Sequence, residues 1–161
     1  MTEDFVISIE EPKRYLAFVL DLGRRTSTTS LSLQRPASSA ESEKAFLTMC
    51  DFAFQRDTKL FLAKVGETPA GFLLFIDFLP DDVTTRPQGF VAYMAVEDAF
   101  RSRGIGRALL DAAEVFAREK GLPAIALMVT ETNRGAASLY KKAGYSVERM
   151  LLCKPLQVPE A

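Results

Sequence analysis

Apolar residues along this chain change period several times, and each change marks an element. Phe5, Ile7 and Ile9 alternate with smaller or polar neighbours over Asp4–Ile9, which predicts a short strand. Glu11-Pro12 opens a predicted helix, since proline is tolerated in a first turn; Tyr15, Leu16, Val19 and Leu20 follow at helical spacing, and Gly23 marks its stop. Residues 26–42 are rich in Ser and Thr and read as an irregular loop, with Leu31 and Leu33 free to lie on the core. A second helix begins from a Ser39 or Ser42 cap and buries Phe46, Met49, Cys50, Ala53 and Phe54. Lys59–Val65 and Ala70–Phe78 read as strands joined by the turn Gly66-Glu-Thr-Pro69. Leu79–Gln88 carries Pro80, Asp81, Asp82 and Pro87 and reads as a surface loop. Phe90–Val96 is the next apolar strand, so the three predict an antiparallel meander.

Arg103–Lys120 is the most regular amphipathic stretch, with Ile105, Leu109, Ala113 and Phe116 on one face, and Gly121 and Pro123 end it. Ala124–Val129 is a continuous apolar run, the pattern of a strand covered on both faces. Strand, helix, strand at this spacing predicts a right-handed crossover that leaves the last pair parallel. Thr132 or Asn133 caps a short helix lined by Ala136, Leu139, Tyr140 and Ala143, closed by Gly144. Tyr145–Pro155 supplies one or two closing strands, interrupted by Arg149. The sum is an α/β (α+β) chain with a mixed sheet of about six to seven strands, mostly antiparallel, and about four helices. Composition shifts nowhere enough to propose a linker, so residues 1–161 read as a single domain.

Composition narrows the chemistry. With 161 residues and 48% apolar content, the chain can build a core without disulfides. A net charge of −1 leaves no basic footprint, so nucleic acid is not an expected partner. Cys50 and Cys153 lack metal-ligand spacing, which fits a reduced, cytoplasmic chain. Met1-Thr-Glu-Asp-Phe5 is acidic, so no signal peptide is expected, and no apolar run approaches the length of a membrane span. Histidine is absent, which excludes His-based triads, a His general base and most zinc enzymes; no metal is expected.

The candidate chemistry sits where the Phe90–Val96 strand meets the long helix, at Arg101-x-x-Gly104-x-Gly106. Amides at a helix N-terminus have no intrahelical partner, and the helix dipole adds partial positive charge there. Glycines keep side chains away from those donors, and Arg101, Arg103 and Arg107 add full charges, so the junction suits a pyrophosphate. No Walker A run is present, and the third glycine of a dinucleotide-binding fingerprint is missing.

Two motifs then carry a resemblance. Arg101-x-x-Gly104-x-Gly106 resembles the [Q/R]-x-x-G-x-[G/A] acetyl-CoA-binding motif of the GNAT superfamily of N-acyltransferases. Asn133-Arg-Gly-Ala-Ala-Ser-Leu-Tyr-Lys-Lys-Ala-Gly-Tyr145 resembles the second GNAT element, N-x-x-A-x-x-[LF]-Y-x-K-x-G-[FY]. The resemblance implies a fold in which the central strand and its parallel neighbour splay apart. It implies that the pantetheine arm of acetyl-CoA pairs with backbone of Met94, Ala95 and Val96. The pyrophosphate would rest on amides from Arg103 through Gly104, Ile105, Gly106 and Arg107 to Ala108, beside the Arg101 side chain. Asn133 would bond the pantetheine arm or a nearby water, or serve as a helix cap. Tyr140 would protonate the departing thiolate, or pack against the strand. An N–H of Ala95 or Val96 would stabilise the oxyanion.

Direct transfer of an acetyl group to a primary amine is the implied activity. The glutamate that some members place early in the central strand is Phe90 here, so that base is not carried over. Asp77, Glu131 or a water chain remain, with Glu131 best placed at a strand C-terminus. Asp77, Asp81, Asp82 and Glu131 offer an acidic site for a cationic acceptor such as a polyamine, an aminoglycoside or a protein lysine, with a small molecule favoured over a protein. Glu97 and Asp98 read as solvated turn charges or substrate contacts, and Cys153 as a core residue. A non-catalytic acyl-CoA sensor and a transferase of a longer acyl group stay open, as does a homodimer.

Overall fold

The structure is a computed structural model that describes residues 4–157; most of the leading stretch read against a signal peptide lies outside it. Strands β1 (Phe5–Glu10), β2 (Thr58–Val65), β3 (Thr68–Pro80), β4 (Pro87–Val96) and β5 (Ile125–Leu127) form one sheet in the order β1-β2-β3-β4-β5. The first four are antiparallel neighbours and β4 and β5 are parallel, as a right-handed crossover through α3 requires. Helices α1 (Leu16–Thr26) and α2 (Ser39–Phe54) cover one face, where Val19, Leu22, Phe46 and Cys50 pack on Leu60, Leu62, Phe72 and Leu74. Helix α3 (Ile105–Glu119) covers the other through Ile105, Leu109 and Ala113 on Phe61, Leu73, Phe75 and Val91, with α4 (Arg134–Lys142) at its flank.

Local chemistry accounts for most boundaries. A capping box starts α2: the Ser38 hydroxyl accepts from the Glu41 N–H, and the Glu41 carboxylate accepts from the Ser38 N–H. Gly23, expected to stop the first helix, lies inside it. Its absent side chain lets α1 approach α2, since a Cβ there would stand 1.9 Å from the Phe46 ring. The Ser/Thr stretch is only partly irregular: a 3-10 turn occupies Ser27–Ser30, and the Ser27 and Ser42 hydroxyls bond each other at 3.0 Å. The loop expected over Leu79–Gln88 shrinks because β3 runs on to Pro80 and β4 starts at Pro87. Asp81 folds the remainder by accepting from the backbone N–H groups of Val83 and Thr84 and the Thr84 hydroxyl.

Among the described residues the sheet has five strands rather than the six or seven expected. The crossover strand is short, pairing only through Gly89–Val91 of β4. Residues 145–157 form no strand. Val147, Met150, Leu151 and Leu152 stand 82%, 78%, 84% and 85% exposed. The tail is tied down by polar contacts instead: Arg149 pairs with Asp81 and Asp82, and Arg35 Nε donates to Cys153 Sγ at 3.3 Å. Cys153 is therefore a half-buried tail residue and not part of the core, whereas Cys50 is buried, its thiol pushed up to about 12 by desolvation. An apolar run needs a sheet edge to pair with before it forms a strand, and residues 147–152 pair with none among the described residues.

One buried acid stands apart. Asp77 is 6% exposed, and neither carboxylate oxygen has a hydrogen-bond partner. It lies beside Phe78, whose φ of 55° is in the left-handed region, where the β3–β4 register slips. Burial raises its pKa, with the Lys120 charge opposing that shift. A raised folded-state pKa means that the protonated acid is favoured in the fold, and stability is lost as pH rises above the unfolded carboxylate range. Asp77→Asn keeps the shape and removes the charge. Thermal unfolding should show a higher Tm for the variant at about pH 8 and a gap that closes toward about pH 4. An unchanged or lowered Tm at the higher pH would contradict a charge penalty at this site.

Candidate active site

Strand β4 carries the site because its two edges are treated differently. Leu74 pairs with Tyr93 but Phe75 with Val91, so Ala92 is an extra residue, a β-bulge. Up to Val91 the strand has β5 on its far side; from Ala92 onward it does not. The Glu97 N–H bonds the Ala70 carbonyl at 2.9 Å, which sets the phase of the antiparallel ladder. Alternation then directs the backbone groups of Tyr93 and Ala95 to β3, and those of Met94 and Val96 to the edge that β5 has left. The Val96 carbonyl accepts from Arg101 Nε at 3.3 Å, as its outward direction requires.

Beyond Val96 a 3-10 turn, Asp98–Phe100, leads into α3. Gly104 is the N-cap at φ 86°, a conformation in which glycine is not strained, and no atom lies within 4 Å of where its Cβ would be. The first intrahelical bond runs from the Ala108 N–H to the Gly104 carbonyl at 3.0 Å. Ala108 is thereby spent, and Ile105, Gly106 and Arg107 keep amides without an intrahelical acceptor. Gly106 has a second use: a Cβ there would stand 3.1 Å from Leu139 Cδ2, so it lets α3 pack on α4.

The three arginines divide. Arg101 pairs with Asp98 at 2.9 Å besides holding Val96. The Arg103 guanidinium lies 5.3 Å from the centre of the Phe100 ring. Arg107 is turned to structural work, donating to Asp111 at 2.8 Å and to the Lys142 carbonyl at 2.9 Å, which caps the C-terminus of α4. Asn133 is the N-cap of α4, its side-chain oxygen accepting from the Ala136 N–H at 3.3 Å. Its amide nitrogen is left to donate elsewhere. Tyr140 is part-buried on α4, edge-on to Tyr145 at 6.0 Å, and burial raises its pKa with a smaller contribution from Tyr93.

Glu131 is exposed on the turn between β5 and α4. That turn is stitched to the α1–α2 connection by hydroxyls of Thr130 and Thr132, which donate to the carbonyls of Ser30 at 2.8 Å and Leu31 at 3.3 Å. The other expected acids are elsewhere. Asp77 lies at the N-terminal end of β4, about 20 Å along the strand from Val96. Asp81 is bonded to Thr84 and Arg149, which hold its pKa well below the usual carboxylate range, and Asp82 also meets Arg149. Glu97 pairs with Arg25 at 2.6 Å. The acidic acceptor cluster expected from sequence does not assemble. Tyr93 was legible only as a strand residue, yet its hydroxyl reaches Thr26 and the Gly23 carbonyl on α1. A tyrosine in a strand whose neighbours are buried is the available signal, because its polar tip needs a partner.

The start of α3, with its unpaired amides, thus lies beside the opened edge of β4. The chain belongs to the acetyltransferase (GNAT) family, whose sequence model matches residues 27–145, more than half of the chain. It is similar to a mycothiol acetyltransferase of Propionibacterium freudenreichii subsp. shermanii, 42% identical over 66 residues, or 41% of this chain and 21% of that protein. It is also similar to an uncharacterised N-acetyltransferase of Methanocaldococcus jannaschii, 29% identical over 91 residues, or 56% of this chain and 40% of that one. The matches thus span well under two thirds of these curated relatives. Among solved structures, a GCN5-related N-acetyltransferase from Ralstonia eutropha JMP134 superposes with a TM-score of 0.72 at 18% identity, covering 95% of this chain and 99% of that one. An aminoglycoside N-acetyltransferase in complex with CoA gives 0.70 at 19% identity, covering 94% of each. At such identities the structural likeness shows the fold alone. The family to which the chain belongs is one of acetyltransferases.

Proposed function

We propose that this chain, acting as a single domain, transfers the acetyl group of acetyl-CoA to a primary amine of a small molecule by direct attack. The observation that carries the reading is the open edge of β4 at Met94 and Val96 beside the unpaired amides of α3. Acetyl-CoA supplies the activated acetyl group. Ile105, Gly106 and Arg107 N–H groups, with Arg101 and Arg103, take its pyrophosphate. Met94 and Val96 pair with the pantetheine arm, which Asn133 holds from the N-cap of α4. Val96 is preferred to Ala95 as oxyanion donor, because the Ala95 N–H is directed to β3. Burial keeps the Tyr140 phenol protonated, ready to give its proton to the thiolate. Glu131, with a water chain to solvent, takes the proton that the amine loses. The names of the mycothiol and aminoglycoside relatives support a small-molecule acceptor. No metal, nucleic acid or membrane enters the reading, and no described helix is long and apolar enough to cross a membrane. A cytoplasmic setting suits both substrates.

We also propose that the chain works as a homodimer in which the tails pair. Val147, Met150, Leu151, Leu152 and Leu156 are all exposed, and joining them across two copies buries on the order of 1,000 Å², the lower bound of a specific interface. Sedimentation should read a dimer that Leu151→Asp with Leu152→Asp converts to monomer. A monomeric wild type would contradict the pairing.

For the transfer itself, calorimetric titration with acetyl-CoA should show binding that Gly104→Glu abolishes, since the new carboxylate meets the pyrophosphate. Tyr140→Phe should bind normally and lose at least about a hundredfold in kcat, the lower end of the usual range for a general acid. Binding without CoA release on any amine would favour a sensor, a reading to which Phe90 in place of the strand glutamate lends some weight. Release from succinyl-CoA in preference to acetyl-CoA would reassign the acyl group. No binding would contradict the whole reading.

A further inference from the structure

We propose that the Tyr93 hydroxyl oxygen accepts an N–H of the incoming amine, making Tyr93 the residue that positions the acceptor. This rests on the transferase reading above. Tyr93 follows the bulge at Ala92 and precedes Met94, at the point where β4 has just lost β5. Its side chain lies on the face covered by α1 and α2, and α3 and α4 lie on the other. From Ala92 onward β4 has no strand on its far side, the elements proposed to hold the cofactor pack on one face of it, and Tyr93 stands on the other.

The hydrogen-bond directions decide what Tyr93 can offer. Thr26 Oγ1 has the Leu22 carbonyl at 2.8 Å and the Gly23 carbonyl at 3.3 Å as acceptors. With the Thr26 proton on Leu22, the shorter of the two, the 3.0 Å contact between the Thr26 and Tyr93 hydroxyls takes the tyrosine proton, which also has the Gly23 carbonyl within reach at 3.3 Å. Both protons thus point at α1, and the remaining lone pair of the Tyr93 oxygen is available to a donor. The ring is held by Phe46 at 4.8 Å and Phe72 at 6.1 Å, so the oxygen is pre-placed. Burial raises the pKa of this phenol, which keeps its proton and does not act as the base.

The surroundings favour an uncharged amine. Asp81 and Asp82 are taken by Arg149, Glu97 by Arg25, and Asp77 is at the far end of the strand. A carboxylate would stabilise the ammonium form, which has no lone pair to attack with. A hydroxyl at the C-terminus of α1 accepts from the neutral form, and the negative end of that helix dipole favours the positive charge that grows on nitrogen during attack. The amine gives its lone pair to the thioester carbon, the carbon–sulfur bond breaks, and its surplus proton leaves by the route proposed for Glu131.

The test is steady-state CoA release with glucosamine, kanamycin and spermidine, alongside calorimetry with acetyl-CoA. Tyr93→Phe keeps the ring and its packing. On the amine that the wild type uses best, it should raise the KM for amine about tenfold and leave acetyl-CoA affinity unchanged. Tm should show only the small loss that its lost hydrogen bonds to α1 carry. Thr26→Val, which frees the tyrosine proton to turn, should raise the same KM, and Thr26→Ser should restore it. An amine KM unchanged in Tyr93→Phe overturns the proposal, as does a rise matched by loss of acetyl-CoA affinity or by unfolding at the assay temperature. A wild type that binds acetyl-CoA yet turns over none of the three amines overturns it together with the transferase reading. Wild-type turnover with an indifferent Tyr93→Phe sinks the role of Tyr93 alone.

Discussion

A strand that loses its neighbour halfway along must find other partners for its backbone, and β4 is such a strand. Buried amides and carbonyls are rarely left unpaired, so an open strand edge beside the core is either covered or used. β5 accompanies Gly89–Val91 and then departs, while the bulge at Ala92 shifts the phase of the residues after it. Met94 and Val96 are thereby turned to the vacated edge. Arg101 reaches back to one of these groups, the Val96 carbonyl. Much of the rest of the fold is placed by this departure. The crossover through α3 brings a helix N-terminus to the end of β4, and α4 continues from the diverging chain and lies against that helix at Gly106 and Leu139.

Charge at the site is distributed more unevenly than its count suggests. Of the arginines near the α3 N-terminus, Arg107 closes α4, and Arg101 already has Asp98 and Val96 as partners. The backbone amides of Ile105, Gly106 and Arg107 are therefore the donors that cost no rearrangement to use. On the opposite face, the last turn of α1 carries Arg24 and Arg25, of which Arg25 pairs with Asp21 and Glu97, and the Thr26 and Tyr93 hydroxyls meet beside them.

Periodicity made β1 to β4, α2 to α4 and the crossover readable, because each has to bury one face and its sequence shows which. The glycine–arginine cradle was readable for a related reason: Gly104 needs a left-handed φ that other residues resist. Periodicity reports that a face must be buried, and is silent on the element that buries it. Val147, Met150, Leu151 and Leu152 make an apolar series long enough to predict a strand, yet the described chain offers them no edge. Gly23 looked like a helix stop because a stop and a close helix contact ask for the same residue. The acid partners were unreadable because Arg149 lies 67 residues from Asp82, and Arg25 lies 72 from Glu97. Tyr93 was missed for the same reason, since its role depends on Thr26, 67 residues earlier.

The vacated edge of β4 can be tested directly by amide hydrogen exchange with and without CoA. Protection should appear at Met94 and Val96 and at the amides of Ile105, Gly106 and Arg107. Tyr93 and Ala95, directed to β3, should be protected in both states. CoA binding that leaves Met94 and Val96 as exchangeable as before would mean that the ligand does not use this edge, and the central claim would fall.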